Sequence, residues 1–216
     1  MVGFDLKGAK KLLFLGAHSD DIEIGCGGTI LTLAVANPGL EIRWIVFSAE
    51  GNRRREARLS AERLLVGVKD LKVVVKQFRG SYFPAEMVRI KRYLETLKSF
   101  NPDIVFTHHR EDRHQDHRLL SDLTWNTFRN HLIFEYEVSK YDGDFGKPNL
   151  FVPLAAAVCR RKAQHICATF VSQKSKHWLS EDLFLALMRL RGMECASGYA
   201  EAFYSRKMVW SYNQDR

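Results

Sequence analysis

Two short segments of the chain combine histidines with carboxylates. They are "AHSDD", residues 17–21, and "HQDH", residues 114–117. Two imidazoles and one carboxylate form a ligand set typical of catalytic zinc, which keeps a further position for water. His18, Asp21 and one histidine of the second segment could supply this set. Asp20 would then lie beside a ligand, where a base that activates water belongs.

Each segment also has a simpler interpretation. The aspartates of "AHSDD" could cap a helix, because carboxylates favour the positive N-terminal end of the helix dipole. A His-x-x-His pair at the start of a helix is often solvent-exposed surface. Neither segment alone therefore establishes a metal site, whereas their meeting in space would.

The elements that must position these residues follow from the apolar pattern. Runs rich in β-branched and aromatic residues predict strands at 12–17, 42–49, 71–78 and 103–109. Helical spacing predicts helices at roughly 23–36, 54–66 and 85–99. This alternation predicts a single α/β domain over 1–216, with a mostly parallel sheet and helices on both faces.

The predicted sheet brings the two segments together. In the common strand order 3-2-1-4-5-6, the first and fourth strands are neighbours, and ligands bind beyond their carboxyl ends. The first predicted strand runs into "AHSDD", and "HQDH" follows the fourth. We therefore expect one site built from both.

The remainder of the chain is harder to interpret. We predict a helix at 116–130, strands at 132–138 and 151–158, an irregular connection at 139–150, a helix at 180–195 and an edge strand at 205–211. Cys26, Gly27 and Gly28 fall within the first helix, where small residues allow close packing on the sheet. Glu201 either pairs with an arginine or lines the pocket.

Composition limits the class of protein. The chain has 216 residues, of which 46% are hydrophobic, enough for one substantial core. No apolar run approaches the roughly 20 residues of a membrane-spanning helix, and the run at 12–17 is too short for a signal peptide. The four cysteines form no CxxC pair, which suits a reducing compartment, so we expect a cytoplasmic protein.

The motifs resemble those of a known family. "AHSDDIEIGCGGT", "HHREDRHQDHR" and "RGMECASGYAEAFY" look like the LmbE-like or PIG-L superfamily of zinc-dependent N-deacetylases. The resemblance extends from the first strand to about residue 203. It implies a Rossmann-like fold and the removal of acetyl groups from N-acetylglucosamine-type sugars or related amides.

The resemblance also implies residue roles. They are His18, Asp21 and His117 as metal ligands, Asp20 as general base, His114 near the substrate carbonyl, and Asp116 as a partner that orients or charges His114. Zinc is the expected metal. Two histidines and one carboxylate also suit iron(II), so the metal used in the cell stays open.

Two further features concern the edges of the site. The family usually has Pro where this chain has Ser19, and Ser fixes the backbone less firmly. "EGNRRREAR", residues 50–58, places three arginines at a predicted helix N-terminus, where positive charge opposes the helix dipole. We predict that Arg53 binds a hydroxyl, phosphate or carboxylate of the substrate. The alternative is a solvated run of charge.

These observations predict an enzyme acting on a small N-acetylated sugar, or on a nucleotide-linked or phosphorylated derivative of one, rather than on nucleic acid. A formal net charge of +8 favours an anionic partner. The alternative is a non-catalytic α/β module that binds a nucleotide or nucleic acid through its basic surface. It would explain the charge but not the two His/Asp segments. The oligomeric state, including a homo-oligomer, stays open.

Overall fold

The computed structural model describes residues 8–37 and 39–209, within which seven strands and six α-helices are found. The strands are β1 (Lys11–Gly16), β2 (Glu41–Val46), β3 (Asp70–Val75), β4 (Ile104–His108), β5 (Leu132–Tyr136), β6 (Leu150–Leu154) and β7 (Tyr199–Tyr204). The helices are α1 (Asp21–Ala36), α2 (Gly51–Leu64), α3 (Phe83–Leu97), α4 (Gln115–Thr127), α5 (Ala156–Thr169) and α6 (Glu181–Glu194).

All seven described strands join one sheet, in the order β3-β2-β1-β4-β5-β7-β6. The first five are parallel, and β7 runs antiparallel between β5 and β6. The predicted mostly parallel α/β fold is confirmed. β1 and β4 are neighbours, with Leu12 opposite Ile104 and Phe14 opposite Phe106, so their carboxyl ends meet as expected.

Helices cover both faces of the sheet, as predicted. Leu12 and Phe14 belong to one buried core, which contains side chains of α1, α2, α5 and α6. Leu13 and Leu15 belong to the other, with side chains of α3 and α4. Alternate β1 residues thus enter opposite cores, which is why the strand is apolar throughout. No described helix is long and apolar enough to cross a membrane.

The C-terminal third differs from its prediction. The strand predicted at 151–158 ends at Leu154, and Ala156 begins α5, a helix that was not predicted. The apolar run "VPLAAAV" conceals the boundary, because its alanines favour a helix. The edge strand predicted at 205–211 is wrong for 205–209, which are irregular; 210–211 lie outside the described residues. The strand is instead β7, inside the sheet, so the predicted order fails after β5.

Helix α1 is kinked over the sheet. Cys26 has non-helical angles (φ −143°, ψ 18°), which frees backbone groups that a straight helix would pair. The carboxylate of Glu201, on β7, accepts from the N–H groups of Gly28 (2.7 Å) and Thr29 (2.6 Å). Lys162 of α5 donates to the same carboxylate (2.6 Å). The partner of Glu201 is therefore a lysine, and this buried pair satisfies the kink.

We predict that Gly25→Ala destabilises the fold and Gly27→Ala does not. A Cβ at Gly25 would overlap the Tyr136 ring, whereas the nearest contact of one at Gly27 is the Lys162 side chain at 3.5 Å, an ordinary van der Waals distance. Gly25→Ala should lower the free energy of unfolding by about 1–3 kcal/mol. Gly27→Ala should change it by less than about 1 kcal/mol. Equal losses in urea-induced unfolding would contradict the packing described.

Candidate metal centre

The candidate site lies where β1 and β4 end. His18 follows β1 in the turn that leads into α1, and that turn is closed by its backbone N–H, which donates to Asp21 Oδ2 (2.6 Å). His114 and His117 lie at the start of α4, beyond the loop that follows β4. The ring of His18 is centred 4.9 Å from that of His114 and 5.1 Å from that of His117. The predicted convergence is present.

Three atoms of this cluster form a nearly regular triangle. His18 Nδ1 lies 3.1 Å from His117 Nε2. Asp21 Oδ2 lies 3.4 Å from each of these nitrogens. In a tetrahedral zinc site with bonds of about 2.0–2.1 Å, neighbouring ligand atoms are about 3.3–3.4 Å apart. The triangle has the dimensions of one face of such a site.

The hydrogen bonds at the far side of each ring indicate where the lone pairs lie. His18 Nε2 donates to Asp116 Oδ2 (3.1 Å), and His117 Nδ1 donates to Asp112 Oδ2 (2.9 Å). Ionised carboxylates only accept, so each neutral ring carries its hydrogen there. The lone pairs of His18 Nδ1 and His117 Nε2 then face each other beside Asp21. A proton on His18 Nδ1, donated to His117 Nε2, removes this repulsion, and so would a metal ion that took its place between the two nitrogens, so these residues fit a metal.

Two other histidines nearby, His114 and His108, also bring ring nitrogens within reach of the cluster, but their hydrogen bonds favour other roles. The backbone N–H of Asp116 donates to His114 Nδ1 (3.2 Å), and that of Ala17 donates to His108 Nε2 (2.9 Å). A neutral imidazole that accepts at one nitrogen carries its hydrogen on the other. His114 Nε2 and His108 Nδ1 are therefore donors. The fully buried His108 stacks on His117 (3.9 Å between ring centres), a role the sequence did not indicate.

The electrostatics prepare two of the three candidate ligands for metal binding, whereas His18 must first lose a proton. Burial lowers the pKa of His18, but Asp21 and Asp116 together raise it to about 10, so a metal ion bound there would displace a proton from this ring. Burial alone would raise the pKa of Asp21, but the imidazoles of His117, His108 and His18 together hold it well below its usual value. Burial, followed by repulsion from His108, lowers the pKa of His117 to about 4. Asp21 is thus ionised and His117 neutral at pH 7, as metal ligands must be.

Asp20 lies beside this triangle with one oxygen unused. Its Oδ2 is buried and has no hydrogen-bond partner among the described residues, while Oδ1 lies 3.6 Å from Nη2 of Arg53. Burial and then repulsion from Asp21 raise the pKa of Asp20 to about 6, against the attraction of Arg53. A carboxylate with this pKa is suited to accept a proton near neutral pH.

Of the three arginines considered from the sequence, the structure brings Arg53 to the site. Its Nε donates to Ser19 Oγ (3.1 Å), and its side chain is 38% exposed. The side chains of Arg54 and Arg55 make no hydrogen bond or ion pair within the described ranges. Both are at least partly exposed.

The carboxylate of Asp116 contacts His18 rather than His114, which it was expected to orient. It also accepts from the backbone N–H groups of Ser81 (2.5 Å) and Phe83 (3.0 Å). Its contact with His114 runs through the Asp116 backbone N–H instead. Asp116 thus joins the loop after β3 to the candidate ligand His18.

Asp112 is a residue that the sequence reasoning missed. Besides its contact with His117, Asp112 Oδ2 forms an ion pair with Lys140 Nζ at 3.0 Å. Lys140 forms a second ion pair with Asp144 at 2.6 Å. Burial opposes ionisation of Asp112, but His117 and Lys140 contribute to a pKa well below the usual range. The only signal in the sequence was an acidic residue five positions before His117, which cannot specify this contact.

Comparison with known proteins identifies the family. Residues 13–128, more than half of the chain, match the family model described as "PIG-L: GlcNAc-PI de-N-acetylase". That region includes both His/Asp segments, most of β1 and all of β2, β3 and β4. The protein belongs to the PIG-L family, in agreement with the resemblance seen in its motifs.

Solved structures share the fold over most of the chain. One is N,N'-diacetylchitobiose deacetylase from Pyrococcus horikoshii, at 24% identity and a TM-score of 0.71, over 93% of this chain and 86% of that one. Another is GalB, the 4-carboxy-2-hydroxymuconate hydratase from Pseudomonas putida. It is 17% identical, with a TM-score of 0.72 over 95% of this chain and 100% of that one. A third is the zinc-inhibited form of teicoplanin deacetylase Orf2. It is 16% identical, with a TM-score of 0.70 over 90% of this chain and 97% of that one. At these identities they establish the fold.

We predict that Asp112→Ala weakens zinc binding by about 10–100-fold, because His117 loses the carboxylate that orients its ring. Competition with a fluorescent zinc chelator measures this affinity. Asp122→Ala is the matched control, since Asp122 is an exposed carboxylate of α4 that pairs with Arg110 (2.8 Å). An unchanged affinity in Asp112→Ala would show that this hydrogen bond does not support the centre.

Proposed function

We propose that the protein is a metal-dependent N-deacetylase, a hydrolase that removes the acetyl group from an N-acetylated amino sugar or its derivative. The observation that carries this proposal is the triangle of His18 Nδ1, Asp21 Oδ2 and His117 Nε2, with the unpaired Asp20 oxygen beside it. The family description and two of the deacetylase structures support the same reaction. The hydratase of similar fold means that the site, rather than the fold, must support the activity.

His18, Asp21 and His117 would hold the metal, for which zinc is our first choice and iron(II) the alternative. A metal held there would supply Lewis acidity toward the acetamide carbonyl and the attacking water. The hydrogen bonds from these histidines to Asp116 and Asp112 keep the ligand atoms in place.

Asp20 is the general base in this proposal. It takes a proton from the water that attacks the acetamide carbon, and its free Oδ2 has no competing hydrogen bond among the described residues. Because its pKa is raised to about 6, it is ionised at neutral pH yet basic enough to accept the proton.

His114 stabilises the negative charge that develops on the carbonyl oxygen. Its Nδ1 accepts from a backbone N–H, so Nε2 carries the hydrogen and can donate it. Burial and the neighbouring His18 lower the pKa of His114, which keeps the ring neutral. When the C–N bond breaks, the amine takes up a proton from Asp20 or His114, and acetate is released.

The substrate class follows from the same site. Arg53 offers its guanidinium to oxygen acceptors on the sugar, and the net charge of +8 favours a phosphorylated or nucleotide-linked derivative.

The four cysteines are free, which supports a cytoplasmic location. No feature of the site favours the non-catalytic nucleotide-binding alternative.

The test is acetate release from a panel of N-acetylated sugars, sugar phosphates and nucleotide sugars by zinc-loaded protein. We predict that Asp20→Ala lowers kcat by about 10²–10⁴-fold, the usual contribution of a general base. It should retain zinc, because Asp20 is not one of the three ligands.

His18→Ala is the control, since it should lose both zinc and activity. Wild-type protein that binds zinc but releases no acetate from any member of the panel would contradict the proposed function. Loss of zinc from Asp20→Ala would contradict the separation of base from ligands.

A further inference from the structure

We propose that Ser19 is a positioning residue that fixes the guanidinium of Arg53 for substrate binding. This inference rests on the proposed function. Ser19 lies between His18 and Asp20 and is completely buried. Its hydroxyl accepts from Arg53 Nε at 3.1 Å, a contact between the turn after β1 and the first turn of α2.

Arg53 needs such a contact to hold one orientation. It is the third residue of α2, where the positive N-terminal end of the helix dipole repels a cation. The side chain is long and 38% exposed, so packing alone does not fix it. Ser19 and Asp20 hold it from the same turn, through a hydrogen bond to Nε and an ion pair at 3.6 Å to Nη2.

These contacts leave donors free for a ligand. Neither Nη1 nor Nη2 of Arg53 makes a hydrogen bond within the described part of the chain, and the guanidinium is fixed along its Nε edge. A planar group held this way presents paired donors in a defined direction, which suits the oxygens of a phosphate, carboxylate or vicinal diol. Because Arg53 also neighbours Asp20, a sugar bound there would have its acetamide close to the base.

Ser19 contributes through its hydroxyl. The Arg53 contact is the only hydrogen bond of the Ser19 side chain among the described residues. Removing the oxygen therefore leaves Arg53 with the ion pair to Asp20 alone, and leaves the ligand contacts of His18 and Asp21 in place. A purely structural Ser19 would behave differently, because its loss would disturb metal binding and turnover together.

A double-mutant cycle tests the inference. At a pH high enough to keep Asp20 ionised whether or not Arg53 is held beside it, Ser19→Ala should raise KM by about 3–10-fold while changing kcat by less than about 3-fold. Arg53→Ala should raise KM at least as much. The double variant should match Arg53→Ala, since Ser19 acts only through Arg53. Independent multiplication of the two KM effects would overturn the proposal, as would a Ser19→Ala effect confined to kcat.

Arg54→Ala and Arg55→Ala are matched controls from the same run of charge, and neither should change KM by more than about 2-fold. Each variant should keep the zinc content of the wild type. A Ser19→Ala protein that loses zinc would show that the hydroxyl supports the turn rather than Arg53.

A second measurement does not depend on the substrate. The Arg53 Nε–H signal in a ¹H–¹⁵N spectrum can be assigned by its loss in Arg53→Ala, and its exchange with water should accelerate by at least about 10-fold in Ser19→Ala. Unchanged exchange would overturn the positioning role. If no panel substrate is hydrolysed, the proposed function fails, while this measurement still decides whether Ser19 holds Arg53.

Discussion

The site depends on the crowding of lone pairs around Asp21. Its Oδ2 lies within 3.4 Å of one nitrogen each of His18, His108 and His117, in a region from which water is largely excluded. Such an arrangement is unfavourable unless a cation or a proton lies among the atoms. The neighbouring carboxylates of Asp112 and Asp116 orient two of the rings and increase the local negative charge. The raised pKa of His18 keeps such a proton there when no metal is bound, and a divalent cation would replace it.

The same two carboxylates link the centre to the surrounding loops. Asp116 holds the backbone of Ser81 and Phe83, beyond β3, and Asp112 reaches Lys140 in the segment beyond β5. Loops after β1, β3, β4 and β5 thus converge on one cluster. Loops at this edge of a parallel sheet vary freely among related folds, so metal chemistry can be retained while the substrate changes.

The first four strands could be predicted from the sequence, because buried parallel strands are continuous apolar runs. The convergence of both His/Asp segments could be predicted as well, because the strand order determines which loops are neighbours. The boundary at Leu154 could not, since "VPLAAAV" is apolar in either conformation. The pairing of β7 depends on contacts with distant strands. The contact of Asp112 with His117 was equally hidden, because a carboxylate near a histidine in sequence does not specify which nitrogen it meets in space.

The most direct test of the metal centre is anomalous diffraction at the zinc edge from crystals of the zinc-loaded protein. We expect one peak about 2.0–2.2 Å from His18 Nδ1, Asp21 Oδ2 and His117 Nε2. A peak at bonding distance from His114 Nε2 or His108 Nδ1 instead would contradict the assignment of the ligand lone pairs to His18 Nδ1 and His117 Nε2. The absence of any peak between β1 and β4 would contradict the metal centre itself.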